Sequence, residues 1–379
     1  MNTTLRRALG AALVGVLGLP ALAACGGSGS SKNSESSGGK GDKTVTLVSH
    51  DSFAASDSVL KEFTQQTGYT VKVLKSGDAG QAVNQAILSK SHPQGDVFFG
   101  VDNTLLSRAL DNGLFTSYQA KGLDRVPGDL QLDAAQHRVT PIDTGDICVN
   151  YDRAYFADHK LAPPQTLDDL VKPEYKNLLV TENSATSSPG LAFQLATIAK
   201  FGDGGTSQGE ASGGGWQDYW KKLKDNNVEV VDGWEQAYNS RFSGSAAGKK
   251  AKGDKPLVVS YASSPPAEVL DMKPQPDPKD APTGVATGTC FRQTEFAGLL
   301  KGAKNPDGGK ALIDFLLSKT FQEDMPLQMF VKPANQDAKL PEVFTKYGAQ
   351  IDSSATVDPQ KIAKNRDQWV KAWSSLVLK

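Results

Sequence analysis

The sequence is poor in the residues that most often carry chemistry. It holds four histidines and three cysteines in 379 residues. No C-x-x-C or H-x-x-x-H spacing occurs, so no motif for a metal site is present. No two tyrosines are adjacent. No Walker A or G-x-G-x-x-G follows a strand-like run, which leaves nucleotide binding, and any other resident cofactor, without a motif. No serine elbow joins a strand to a helix in the manner of α/β-hydrolases. His50-Asp51-Ser52 looks like a hydrolase relay, but consecutive residues on a strand point to opposite faces and cannot hydrogen-bond in series. The net charge of -1, from 41 basic and 42 acidic residues, gives no case for nucleic acid or for a basic membrane patch. No apolar run reaches 18 residues, as a permanent membrane span requires. The expectation is a protein that is not an enzyme, with no catalytic residue, metal or cofactor.

What is present begins with the N-terminus. Residues 1–24 read as a signal peptide: Arg6 and Arg7, an apolar segment from Ala8 to Leu22, then small residues. Leu22-Ala23-Ala24-Cys25 resembles the bacterial lipobox, which would make Cys25 the lipidated first mature residue. Residues 25–43 contain little that can pack and read as a flexible tether. Lipid and tether place the folded body outside the cytoplasmic membrane. Two cysteines remain, Cys148 in DICVNY and Cys290 in TGTCFRQ. An even remainder in an oxidising compartment suggests one disulfide between them, with two buried free thiols as the alternative.

The body alternates strand-like and helix-like runs. TVTLVS, YTVKVL and GDVFFGVD read as strands. SDSVLKEFTQQTG and AGQAVNQAILSK read as helices between them. After VTPIDTGDICVNYD the alternation resumes with NLLVTE, the helix PGLAFQLATIAKFG, then NVEVVDG and KPLVVSYASSPP. In that helix Leu191, Ala192, Phe193, Leu195, Ala196 and Ile198 are expected to form the buried stripe. Ser187 or Ser188 caps it, and Pro189 suits its first turn. The fold class is therefore α/β with two doubly wound lobes. Lobe 1 is expected over 44–143 plus 285–340, lobe 2 over 144–284, and a helical segment packing on them over 341–379. The glycine-rich 202–215 and proline-rich 271–284 read as surface loops.

Ligands of open α/β sheets bind beyond the carboxyl ends of the strands. Those ends carry His50-Asp51-Ser52, Ser76 to Ala79, Asp102-Asn103, Asp143-Thr144, Thr181 to Ser188, Asp232 to Trp234, and Ser260 to Ser264. Carboxylates and aromatic faces attract a flat cationic ring, and a helix start accepts an anion or hydroxyl.

At HDSFAASD, GVDNTLL, PPQTLDDLV, TSSPGLAF, GWEQAY, VSYASSP and RDQWVKAW the chain resembles the thiamine-binding periplasmic proteins of bacterial ABC importers. Their type 2 substrate-binding fold is shared with ferric-ion-binding proteins. The resemblance runs from about residue 44 to 379. It implies ligand contacts at Asp78, Ala79, Ser187, Ser188, Trp234, Tyr261, Ala262, Ser263 and Ser264. Ala267 and Phe330 stand where some members stack the ligand on a tyrosine and a tryptophan, so Phe330 is the remaining stacking candidate. The implied ligand is thiamine or a phosphate ester. The implied partners are a permease and its ATPase, with the receptor a monomer. Alternatives are a receptor for a thiamine precursor or ferric ion, and a hydrolase. Closure is expected to bend the strands near Asp143 to Cys148 and Gly288 to Cys290.

Overall fold

The structure is a computed structural model that describes residues 43–204 and 215–379. The signal peptide, Cys25 and nearly all of the tether lie outside the described residues, as does most of the glycine-rich stretch. No helix among the described residues is long and apolar enough to cross a membrane.

Ten strands form one sheet. In chain order they are β1 (Thr44–Ser49), β2 (Thr70–Lys75), β3 (Val97–Asp102), β4 (Phe115–Thr116), β5 (Thr140–Asp152), β6 (Leu179–Glu182), β7 (Glu229–Val231), β8 (Leu257–Tyr261), β9 (Thr283–Leu300) and β10 (Lys332–Pro333). The order across the sheet is β2-β1-β3-β9-β5-β8-β6-β7, with β4 beside β9 and β10 beside β5. β1, β2 and β3 pair in parallel, and so do β6, β7 and β8. Each trio is wound with helices because parallel neighbours need a crossover. The two trios are not separate sheets. β5, of 13 residues, and β9, of 18, run antiparallel between them and join both. The proline-rich stretch is shorter than its sequence suggests, since Thr283 and Gly284 already belong to β9.

The pairing of β5 with β9 is interrupted between Ile147 and Val149, where the register jumps from Phe291 to Ala286. The extra residues of β9 form a bulge. There Cys148 is bonded to Cys290, with Cα atoms 4.2 Å apart. Both cysteines are buried, so the bond fastens the two shared strands in the interior.

The helix Ser188–Phe201 is buried along all of its first eleven residues, not on one stripe. That is the signature of a helix packed on every side. Its small residues allow the approach: a side chain at Gly190 would meet the backbone of Glu182 at 2.5 Å. The final helix, Pro359–Val377, buries Ile362, Trp369 and Trp373, as its spacing predicts. Trp373 meets Trp220 edge to face at 5.3 Å, and Gln194 donates to the carbonyl of Trp369 at 3.0 Å. Arg108, on the helix Leu106–Asp111 that follows β3, reaches Asp367 at 3.3 Å. The C-terminal helix thus contacts helices attached to both trios.

Candidate functional site

The start of the helix Ala79–Leu88, the start of Ser188–Phe201 and the turn after β7 converge beyond the strand ends. Asp78 is the N-cap of the first of these helices, and its Oδ1 accepts the N–H of Ala79 at 2.6 Å. Its Oδ2 accepts the backbone N–H of Trp234 at 2.8 Å, from 156 residues away. Gly233 permits that approach, since a Cβ there would lie 2.9 Å from Oδ2. Beside it, the N–H of Gln81 donates to the carbonyl of Thr186 at 3.0 Å. Burial pushes the Asp78 carboxyl up to about 6, against the opposing pull of the Trp234 and Ala79 N–H groups and of Ser187 and Ser188. The helix start at Ser187-Ser188 therefore does face a negative group, and that group is the protein's own Asp78.

Two adjoining cavities lie here. The inner one, about 40 Å³, is edged by His50, Asp78, Ser188, Trp234, Tyr261 and Glu295, with Ala79, Ser52, Met329 and Val331 beside them. The outer one, about 320 Å³, shares Ser52, Trp234, Tyr261 and Met329 and adds Lys75, Tyr238, Asn239, Ser264, Glu268 and Phe330. A volume near 300 Å³ is at the small end of the range for sites that enclose a small organic molecule. The walls are aromatic. Trp234 stacks on Tyr238 at 5.0 Å and meets Tyr261 edge-on at 6.3 Å. Its indole N–H donates to Ser260 Oγ at 2.9 Å, and the Tyr238 hydroxyl donates to Glu268 at 3.0 Å. These bonds fix both rings in place before anything binds, which lowers the entropy cost of binding.

Of the residues expected from sequence, Asp78, Ala79, Ser188, Trp234 and Tyr261 border the inner cavity, and Ser264 and Phe330 the outer one. Others do not border either. Ser187 is buried beneath the helix start. Ala262, in the turn after β8, packs with Cys148, Val285 and Cys290. Ser263 donates to the carbonyl of Phe330 at 2.6 Å. The Phe330 ring stacks on Phe344 at 6.1 Å, so only part of it meets the outer cavity. Ser264 shares a hydrogen bond with Ser260 and accepts the N–H of Tyr261.

His50, a strand-end residue, borders the inner cavity as well; Glu295, Met329 and Tyr238 are neighbours that the strand ends and motifs did not single out. His50 is kept neutral, its imidazole pushed down to about 4 by burial and then by the charge of Lys75. Glu295 had a signal in the sequence: it is an acid inside TEFAGLL, the apolar end of a strand. Among the described residues no group of three or more His, Cys, Asp or Glu side chains is arranged to hold a metal ion.

An aromatic-walled, acid-floored cavity between strand ends is the architecture of a solute receptor. The model of the bacterial extracellular solute-binding proteins matches residues 58–350, and the chain belongs to that family. It is 27% identical over 340 residues to the thiamine-binding periplasmic protein of Salmonella typhimurium, covering 88% of this chain and 93% of that one. It is 28% identical over 339 residues to the protein of the same name from Brucella suis, covering 87% and 91%. Among solved structures, a periplasmic thiamin binding protein superposes with a TM-score of 0.72 at 25% identity, covering 88% of this chain and 96% of the other. The ferric binding protein of Campylobacter jejuni, at a TM-score of 0.64 and 18% identity over 88% and 99% of the two chains, shares the fold. The α/β two-lobed periplasmic-binding architecture is thus the one this chain adopts.

Proposed function

We propose that the protein is the extracytoplasmic receptor of an ABC importer for thiamine or a phosphate ester of thiamine. The observation that carries this reading is the pairing of aromatic walls at Trp234, Tyr238 and Tyr261 with the acidic floor at Asp78 and Glu295. A thiazolium or aminopyrimidine ring suits that surround, because aromatic faces and carboxylates both favour a flat cation. The thiamine-binding relatives support the same ligand. Lys75 and Asn239, in the outer cavity, suit the hydroxyl or phosphate end, where an anion is farthest from the floor. Ser264 and Phe330 complete the rim, while Ser187, Ala262 and Ser263 support it from behind.

In this reading the residues around β1–β3 form one lobe, those around β6–β8 the other, and β5 and β9 act as the hinge. The Asp78–Trp234 and Gln81–Thr186 bonds hold the lobes closed. Cys25 carries the lipid that anchors a monomer to the outer face of the cytoplasmic membrane, and a permease with its ATPase accepts the ligand. Calorimetric titration with thiamine, its mono- and diphosphate, the free pyrimidine and ferric citrate tests it. Tight binding confined to thiamine forms is the expected result. Heat from ferric citrate alone would move the protein to the iron receptors.

A further inference from the structure

The strand register sets three acids in one row. Glu295 on β9 lies directly opposite Asp102 on β3 and directly opposite Asp143 on β5. Like charges in directly opposed positions repel, and partners in register share a face. The three are not equally provided for. Asp102 accepts the N–H and hydroxyl of Thr104, the N–H of Leu105 and the side-chain amide of Gln293. Both oxygens of Asp143, a fully buried residue, lack any donor. Glu295 is 4% exposed and borders the inner cavity. No N–H or hydroxyl among the described residues donates to it, and the neutral His50 ring stands 3.7 Å away, beyond hydrogen-bond range.

The surrounding charges do not relieve the pair. Lys75 donates to the carbonyl of Asp51. Arg292 and Lys332 are turned to Asp146. Asp78, Glu182 and the Tyr261 phenol, from the elements packed around the cavity, add acidic or neutral groups only, and the segment Met329 to Val331 adds none that titrates. Two buried carboxyls in contact without a cation keep one proton between them. Burial raises both members of this pair: Asp143 by burial and then by the charge of Asp102, against its hydrogen bond with Glu295, and Glu295 by burial and then by the charges of Asp143 and Asp102.

We propose that Glu295 is the residue that reads the cationic ring of the ligand, and that the Asp143–Glu295 pair releases its shared proton as the ring docks. This rests on the thiamine reading for the identity of the cation. The proton leaves to solvent while the ring's positive charge takes its place beside Glu295, so charge at the floor is conserved. The selection is against neutral rings of the same shape, which give the pair no reason to ionise.

The test uses the whole mature chain and thiamine. Titration calorimetry at about pH 6.5, in phosphate and in imidazole buffer, counts protons through the difference in buffer heats. About one proton is expected to leave per thiamine bound. The Kd is expected to fall as pH rises toward about 7, by up to about tenfold per pH unit. Glu295→Gln should abolish the Glu295-linked release, because its amide hydrogen-bonds Asp143 without a titrating proton. Asp143→Asn should do the same if the first variant folds poorly, whereas Asp78→Asn should keep the release. Thiamine binding with no dependence on buffer, or a release that survives both Glu295→Gln and Asp143→Asn, overturns the inference and leaves the thiamine reading standing. Failure of thiamine to bind at any pH overturns both.

Discussion

Removing the Cys148–Cys290 bond is the perturbation with the largest expected effect on stability. The two residues are 142 apart in sequence, so the bond closes a long loop in the unfolded chain. The loop-entropy relation gives about 17 cal/mol/K for that length, or about 5 kcal/mol at 25 °C. Native disulfides return about 2–5 kcal/mol when removed, so the loss belongs near the top of that span. For a body of this size the unfolding entropy is about 0.7 kcal/mol/K, which turns 5 kcal/mol into a fall of about 7 °C in Tm. Cys148 and Cys290 are 0% and 4% exposed, so a reductant added to the native protein will not reach the bond. The assay is therefore guanidinium unfolding of the Cys148→Ala, Cys290→Ala double variant against the parent, followed by tryptophan fluorescence. A loss below about 1 kcal/mol would refute the reasoning. It would mean that the bulged pairing of β5 with β9 restrains the chain without the covalent link.

Three further outcomes are expected. Trp234→Ala removes one wall of both cavities and should weaken thiamine binding by about ten- to a hundredfold, as loss of stacked and cation–π contact worth about 1.5–3 kcal/mol; unchanged affinity in calorimetry would discard the wall. Asp78 is pushed up to about 6 from 3.8 by burial, so the native state holds a proton that the unfolded chain has already lost between those values. Its contribution is full below about pH 4 and is lost as pH rises through about 6, up to about 3 kcal/mol; Asp78→Asn should flatten that slope in melts at pH 4.5 and 6.5, and an unchanged slope assigns it to another group. Trp373→Ala empties a fully buried site against Trp220 and should cost about 3–5 kcal/mol, measured by denaturant unfolding; a cost under 1 kcal/mol would mean the C-terminal helix is not integral to the fold.

The alternation of strands and helices was legible because each element carries its own periodicity. The heptapeptide scale of that signal is also its limit. DICVNY and TGTCFRQ read as strands, but nothing local in them tells that β5 and β9 would run side by side and fuse the two trios into one sheet. Trp234 and Tyr261 were legible as strand-end aromatics. Asp78 was legible as a carboxylate just beyond a strand end, yet its second partner is a backbone N–H 156 residues on, a contact that no spacing rule contains. Ala262 is a different case. Its neighbour Tyr261 ends β8, and the turn that follows packs Ala262 on Cys148 and Cys290, long-range partners that its local sequence does not show. Glu295 was passed over because a single acid in an apolar strand has no motif; only the register, which brings Asp102 and Asp143 to it, gives it meaning.

Asp78 grips position 234 through the main chain. Every amino acid except proline supplies that amide, so the clasp is indifferent to which side chain grows from the same residue. Recognition and fastening are thereby uncoupled at a single position. A change of side chain at position 234 would alter the cavity wall and leave the Asp78 hydrogen bond in place.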